Sequence, residues 1–525
     1  MNIWLLICSV VVMFLVTIGG IYFVAYFQHE EDKHSSWISK IVVILSVDAC
    51  FGFVLLLPLD VAMREAGEDS DIMSVIWQIT SIVIMLLALV VIPFCYMWYN
   101  SYDGERSTAS RFTVTIISSI FVIIIFAIFA VTLYLLIGYA DLPSISYGAE
   151  LSDNDSMTAE CSDCTSIPSS IQVRMSLPLY CIGLMSFIGY FMFIFFGGIG
   201  LVAVPLDWIN AFRTRPHPMT KEEQATWTLV FRERVMRMLA VCNAFKAELE
   251  STNKIKADDS EEKRAKKLRK LKMNRRQKMV FNQIKQAAIL LEKDFDYVMT
   301  SRGQREYNPI GYWFKLLGGI LTAVVSLMWL LHIILFMHID PPVSPFLNSV
   351  LMYFNNFRFV STVIYALLAF YLLFCVLKGS IKFGFRFFFF ISLHEMEVGN
   401  TTMNSMLFNM ALMLFSSFSV VQFLNNAFSS YTQVTSAQMI FGTSVSNLLY
   451  LRYFFQYADF VLYGVAFITL IYLIMRPHDK SSELELEEEM EKSGKLEKMI
   501  TGKGGPKKAP SKYVPKRKKN KKRLK

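Results

Sequence analysis

The side chains able to do chemistry in this chain are few, and they are set in apolar sequence. Asp48 stands near the middle of a hydrophobic run over about residues 38–61. Asp60, Asp207, Asp340 and Asp459 stand nearer the ends of such runs, where water or headgroups reach them, and His332 lies about two turns from the end of a run over 310–338. An ionisable group at membrane depth is costly and is a functional candidate by default. Asp48 can act as an ion or proton site or as a structural hydrogen bond to a neighbouring helix. For Asp60, Asp207 and His332 the structural role outweighs a ligand or ion role. Asn404, Asn409, Gln422 and Asn425 share one apolar run and, being neutral, suit helix-to-helix stitching. Cys161 and Cys164 form a single Cys-Ser-Asp-Cys, which without a second pair or a nearby His argues for a disulfide on an exoplasmic loop rather than zinc. No Ser/His/Asp set, paired carboxylates, phosphate loop or dinucleotide-binding glycine pattern occurs. The expectation is a protein with no catalytic residues, no metal and no cofactor.

The elements that would position these groups are transmembrane helices. Of 525 residues 54% are hydrophobic and 18% charged, and the apolar residues come in blocks of about 20, the length that crosses a bilayer. Lipid offers no partners for backbone N–H and C=O groups, so such blocks must be helical. Spans are expected near 3–27, 38–61, 72–99, 112–139, 177–204, 310–338, 357–378, 403–423 and 454–475. The first has no basic leader and no small-residue cleavage site and is too long for a signal peptide, so it is read as an uncleaved helix. The fold class expected is an all-α polytopic bundle of about nine transmembrane helices. Its domains are residues 1–206 with five spans and a polar exoplasmic loop at 141–176, a basic module at 207–309, residues 310–476 with four spans, and a Lys-rich disordered tail at 477–525. Residues 384–393, with four Phe in a row, read as a surface helix or an extension of the seventh span.

Within the module, Trp227, Phe231, Met238, Val241 and Phe245 recur at helical spacing, as do Val280, Ile284, Ala287, Leu291, Phe295 and Val298. A helical hairpin or coiled coil follows, either packing on itself or docking a partner. Lys263, Arg264, Lys266, Lys267, Arg269 and Lys270 open a basic run suited to anionic lipid headgroups. The run has no interleaved aromatic residues and belongs to a bilayer-bound chain, so nucleic acid is not expected. Lys33, Arg106, Arg111, Lys378, Lys382, Arg386 and the tail cluster fall on the module's side, against Arg64, Arg174, Arg358 and Arg452 opposite. The positive-inside rule then puts the N-terminus outside and the module and C-terminus in the cytoplasm. That orientation leaves the Asn154 sequon outside, open to glycosylation, and the Asn400 sequon inside.

Several long, collinear segments resemble one family. They are Leu57-Pro58-Leu59-Asp60-Val61, Ile92-Pro93-Phe94, Phe196-Gly197-Gly198-Ile199-Gly200 through Pro205-Leu206, His338 through Asn348, Met403 through Asn409, and Gln438 through Gly442. Over roughly residues 1–476 the chain resembles the limb-region-1-like membrane proteins, the family that includes the lipocalin-interacting membrane receptor (LIMR), in its plant- and protist-like form. The resemblance implies nine spans with an exoplasmic N-terminus, in a plasma, endosomal or lysosomal membrane. It implies a role as endocytic receptor or trafficking and signalling adaptor, with an unknown exoplasmic ligand and cytoplasmic protein partners. The alternative it implies is help in transporting a small solute, as in cobalamin export. It carries over no ligand-binding residues.

Overall fold

The computed structural model describes residues 3–29, 32–33, 36–65, 70–101, 108–148, 165–216, 219–252, 284, 288, 291–292, 295–301, 303, 309–339, 341–382, 386–387, 391–392, 396, 399 and 401–475. In order, the elements are α1 (Ile3–Phe27), α2 (Trp37–Glu65), α3 (Ser70–Leu86), α4 (Ile92–Asn100), α5 (Thr108–Ile137), β1 (Tyr139–Gly148) and β2 (Thr165–Arg174). Then come α6 (Leu177–Met192), α7 (Gly198–Arg213), α8 (Lys221–Thr252), α9 (Pro309–His332), α10 (Phe346–Tyr353) and α11 (Arg358–Lys382). The short β3 (Arg386–Phe387) and β4 (Ile391–Ser392) precede α12 (Met403–Ala427) and α13 (Leu451–Met475). π-Helical turns at Leu87–Val91, Phe193–Gly197 and Ile333–His338 carry α3 into α4, α6 into α7 and α9 past its end, and a fourth occupies Gln438–Val445. Among the described residues nine helices are long and apolar enough to cross a membrane.

The chain divides into two compact units, residues 1–209 with 315–475, and residues 210–314 with 476–525. In the first, α12 is the axis. It packs on α6, α2, α4 and α11, and is buried nearly from Met403 to Ala427. Its core face meets Phe53 of α2, 4.9 Å from Phe418 by ring centroid, and Trp77 of α3 packs 5.2 Å from Phe53 and 5.6 Å from Phe441 of the Gln438–Val445 π-helix. Helices α1 and α5 instead turn apolar side chains outward, among them Phe14, Ile18, Phe121 and Ile128. A water-soluble protein could not sustain so much exposed apolar surface, whereas a bilayer covers it.

In the second unit α8 opens on a capping box. Thr220 Oγ1 accepts from the Glu223 amide at 3.3 Å, and Glu223 Oε2 accepts from the Thr220 amide at 3.0 Å. Phe231 from one expected stripe lies 5.4 Å from Phe295 of the other, and Phe245, Leu249 and Val298 are buried.

The structure differs from the sequence expectation at three places. The fifth span runs on to Arg213, giving a helical stretch of 37 residues with its π-turn. The 141–176 stretch is no plain loop. Its flanks pair as an antiparallel hairpin, Leu142 opposite Ile171 and Ala140 opposite Val173, because short runs of β-branched and small residues alternate there. Arg386–Phe387 pairs with Ile391–Ser392 instead of forming a helix, since bulky Phe and Ile favour the extended chain over a polar helix surface. Pro93 lies seven residues from the end of the third span. The π-turn before it absorbs the lost hydrogen bond, and the helix continues to Asn100. Asp340, Cys161, Cys164, Asn154, the basic residues Lys263, Arg264, Lys266, Lys267, Arg269 and Lys270, and the tail lie outside the described residues.

Candidate functional site

At one end of the bundle, residues 428–450 fold back onto the helices as turns and the Gln438–Val445 π-helix. Asp60, buried completely within α2 two residues after Pro58, holds this segment at its start. The carboxylate accepts from the Ala437 amide at 2.8 Å, the Ser436 amide at 3.3 Å and Trp77 Nε1 at 2.8 Å. An acidic side chain on amides that lack helical partners is an N-cap, here supplied by another helix 376 residues away in sequence. Asp32, also buried, repeats the arrangement elsewhere, accepting from the Met403 amide of α12 at 3.1 Å and from Tyr99 Oη at 3.0 Å.

β1 is tied to the same segment. The Leu449 amide donates to the Tyr139 carbonyl at 2.9 Å, the Asp141 amide to the Asn447 carbonyl at 2.9 Å, and Arg452 Nη1 to Asp141 Oδ2 at 2.6 Å. α10 joins through Asn348, whose Nδ2 donates to the Ala427 carbonyl at 3.1 Å. Hairpin, α10 and residues 428–450 thus form a cap of interlocked pieces.

Beneath it lies a polar knot. His332 is fully buried, with Nε2 2.9 Å from the same Ala427 carbonyl and its ring stacked 5.1 Å from Phe336 and 5.6 Å from Phe428. Trp329 and Tyr365 also face Phe428, at 5.4 and 5.2 Å. The His332 Nδ1, Asn348 Oδ1, Trp329 Nε1, Tyr365 Oη and Asn425 Oδ1 atoms are all buried and make no hydrogen bond within the protein. Buried donors and acceptors demand partners, so this region suits ordered water or a small polar molecule. Nearby, Ser186 donates to Gln422 Oε1, Gln422 Nε2 donates to Ser446 Oγ at 3.1 Å, and Ser446 Oγ donates to the Phe441 carbonyl at 2.9 Å.

The residues singled out by sequence are not gathered into one site. Among the described residues Asp48 accepts from Thr17 Oγ1, 3.2 Å from each carboxylate oxygen, joining α1 to α2. Asp207 pairs with Lys382 and with Lys378 at 3.1 Å, joining α7 to α11. Asp60 is a cap and His332 belongs to the knot. Asp32, Asn348, Ser186 and Trp329 were missed. Asp32 sits in a short polar loop that looks solvated, and the knot's other members are neutral. Among the described residues, no group of three or more His, Cys, Asp or Glu could hold a metal ion. Cys8, Cys50, Cys95, Cys181, Cys242 and Cys375 are free thiols.

A bundle of nine membrane-length helices threaded on a buried axis, with charges spent on capping and on pairing helices, defines a multi-pass integral membrane protein. The profile of the LMBR1-like membrane protein family matches residues 2–309 and 242–474, and this chain belongs to that family. A LIMR family protein of Dictyostelium discoideum is 32% identical over 92% of this chain and 100% of its own length. LIMR family proteins of Arabidopsis thaliana and of Oryza sativa subsp. japonica are each 29% identical, over 92% and 90% of this chain and 99% and 96% of their own lengths. No solved structure matches the chain.

Proposed function

We propose that this protein is a receptor-type adaptor that presents the cap to the exoplasmic side and residues 207–309 to the cytoplasm, five spans preceding that module and four following it. The carrying observation is the construction of the cap. Residues 428–450 are held by a buried carboxylate and by β1, so the surface is preorganised, and preorganisation lowers the cost of binding. β2 leaves Ile171 and Val173 exposed beside it. On this reading the module is a helical hairpin, its Lys263–Lys270 run meets anionic headgroups, and cytoplasmic proteins dock on it. A plasma, endosomal or lysosomal membrane suits this role.

The test is a photoreactive residue at Ile171 or Val173 in intact cells, with Leu135 on lipid-facing α5 as control. The expected result is a discrete protein adduct at 171 and 173 and none at 135. Absence of protein adducts at both hairpin positions overturns the receptor reading.

The second reading is assistance to the passage of a small solute. It is favoured by the unpartnered polar atoms around Phe428, which a polar solute could satisfy. Flux through vesicles containing the intact protein, set against empty vesicles and against His332→Phe, checks it. Flux equal to that of empty vesicles removes it.

A further inference from the structure

α13 carries a carboxyl group that none of these roles uses. Asp459 is eight residues into the helix, about 12 Å from its start. It is 4% exposed, and its Oδ1 has no hydrogen-bond partner. The expectation that water or headgroups reach it does not hold, because α13 begins earlier than the apolar run suggests and α6 with its π-turn covers this face. Tyr190 of α6 is completely buried, its Oη likewise has no partner, and its ring packs on Phe455, one turn before Asp459 on α13. Its ring is wedged 5.2 Å from Phe455 and 5.9 Å from Phe193.

Among the described residues, the other titratable groups on this side are Tyr463 and His338, and the His338 Nε2 is itself buried without a hydrogen-bond partner. Tyr463, one turn along α13, donates its hydroxyl to the Leu330 carbonyl at 2.6 Å. His338 stacks on Phe460 at 3.8 Å and lies 5.7 Å from the Tyr463 ring. The Phe193–Gly197 turn brings no titratable side chain. Among the described residues no Lys, Arg or His forms an ion pair with Asp459. The other buried aspartates differ in kind, since Asp32 and Asp60 each receive backbone amides.

We propose that Asp459 and Tyr190 form a proton-binding site in the wall between α6 and α13. An ionised carboxylate with no countercharge and with one buried oxygen lacking any donor is costly in such surroundings, so the group stays neutral by holding a proton. The bound proton forms the acid's O–H; the Tyr190 hydroxyl on the facing helix is not hydrogen-bonded to it in this arrangement and is the neutral polar group a small shift of the two helices brings to it. Release returns the proton to water and leaves a carboxylate to which the same hydroxyl can donate. Release requires water to enter between α6 and α13, so proton occupancy and the contact of the two helices are linked. A proton fits better than a metal cation, because a cation needs several oxygen ligands and Asp459 brings one carboxylate.

The test uses the full-length protein in lipid nanodiscs and dicyclohexylcarbodiimide, which reacts with protonated carboxyls in apolar settings and leaves an N-acylurea adduct readable by peptide mass spectrometry. The expected result is an adduct on Asp459 that declines as pH is raised, is unaffected by added Na⁺ or K⁺, and is absent in Asp459→Asn. In Tyr190→Phe the pH at which labelling declines shifts. Protection by Na⁺ or K⁺ at fixed pH overturns the proton assignment, and an unshifted profile in Tyr190→Phe overturns the pairing. Infrared difference spectra keep the test independent of reagent access. The C=O stretch of a protonated acid is expected in the wild type and lost in Asp459→Asn, and its absence from the wild type overturns the proposal.

Discussion

Asp60→Ala removes the acceptor for two backbone amides and an indole N–H, all held by a fully buried carboxylate. Stranding buried donors costs about 1–3 kcal/mol each before relaxation, so a loss of roughly 3 kcal/mol is expected for the whole cap. Asp48→Ala is the informative contrast. That carboxylate is half-buried and its partner is one hydroxyl, an interhelical bond worth about 0.6 kcal/mol on average in membrane bundles. Thermal unfolding of the two variants in one detergent checks this, with a large drop in Tm for Asp60→Ala and a small one for Asp48→Ala. Sequence ranked the two the other way as ligand or ion candidates, because depth along a span is visible in sequence and partners are not. Asp60's partners are supplied by residues 436 and 437, on a segment whose fold-back leaves no periodic signature.

At the scale of elements, the contact between α7 and α11 depends on two glycines that interlock. A Cβ on Gly200 would overlap the Cys375 carbonyl, and a Cβ on Gly379 would overlap the Phe196 carbonyl, so each helix's backbone fills the space the other leaves. Small residues at such crossings let backbones approach closely, which drives association where lipid offers no hydrophobic gradient. Gly200→Leu or Gly379→Leu is expected to separate the helices and break the Asp207 pairing with Lys378 and Lys382, seen as aggregation on size-exclusion chromatography and faster proteolysis. The Gly197–Gly200 cluster is visible in sequence as a packing feature, but its partner helix is not. The hairpin was hidden for a different reason, since its Ser- and Pro-containing strands read as loop and only their pairing reveals them. Arg452→Ala should loosen that pairing at its base. Amide exchange at Leu449 and Asp141, whose N–H groups bridge β1 and residues 447–449, is expected to quicken while the interior of α12 stays protected.

For the whole molecule, the nine spans could be read from sequence because a bilayer imposes one length and one solvent on every helix, and those demands act residue by residue. The order of packing around α12 could not, because that helix is buried on nearly every side and its residue pattern marks no single face for a given neighbour. The proposed orientation rests on charge placement, since basic residues flanking spans are retained on the cytoplasmic side. By span count along the sequence, Lys33, Arg106, Arg111, Lys378, Lys382 and Arg386 are assigned to the same side as residues 207–309 in that proposal, against Arg64, Arg174, Arg358 and Arg452 on the other. The two sequons then convert orientation into a measurement. Asn154, between β1 and β2 in sequence, is expected to carry an N-glycan, and Asn400, three residues before α12 in sequence, is not. Endoglycosidase treatment should shift the wild type on a gel and leave Asn154→Gln unmoved, while Asn400→Gln behaves as wild type. A glycan on Asn400 instead would invert the molecule, placing residues 207–309 outside and the cap in the cytoplasm, and would remove the basis for an exoplasmic receptor surface.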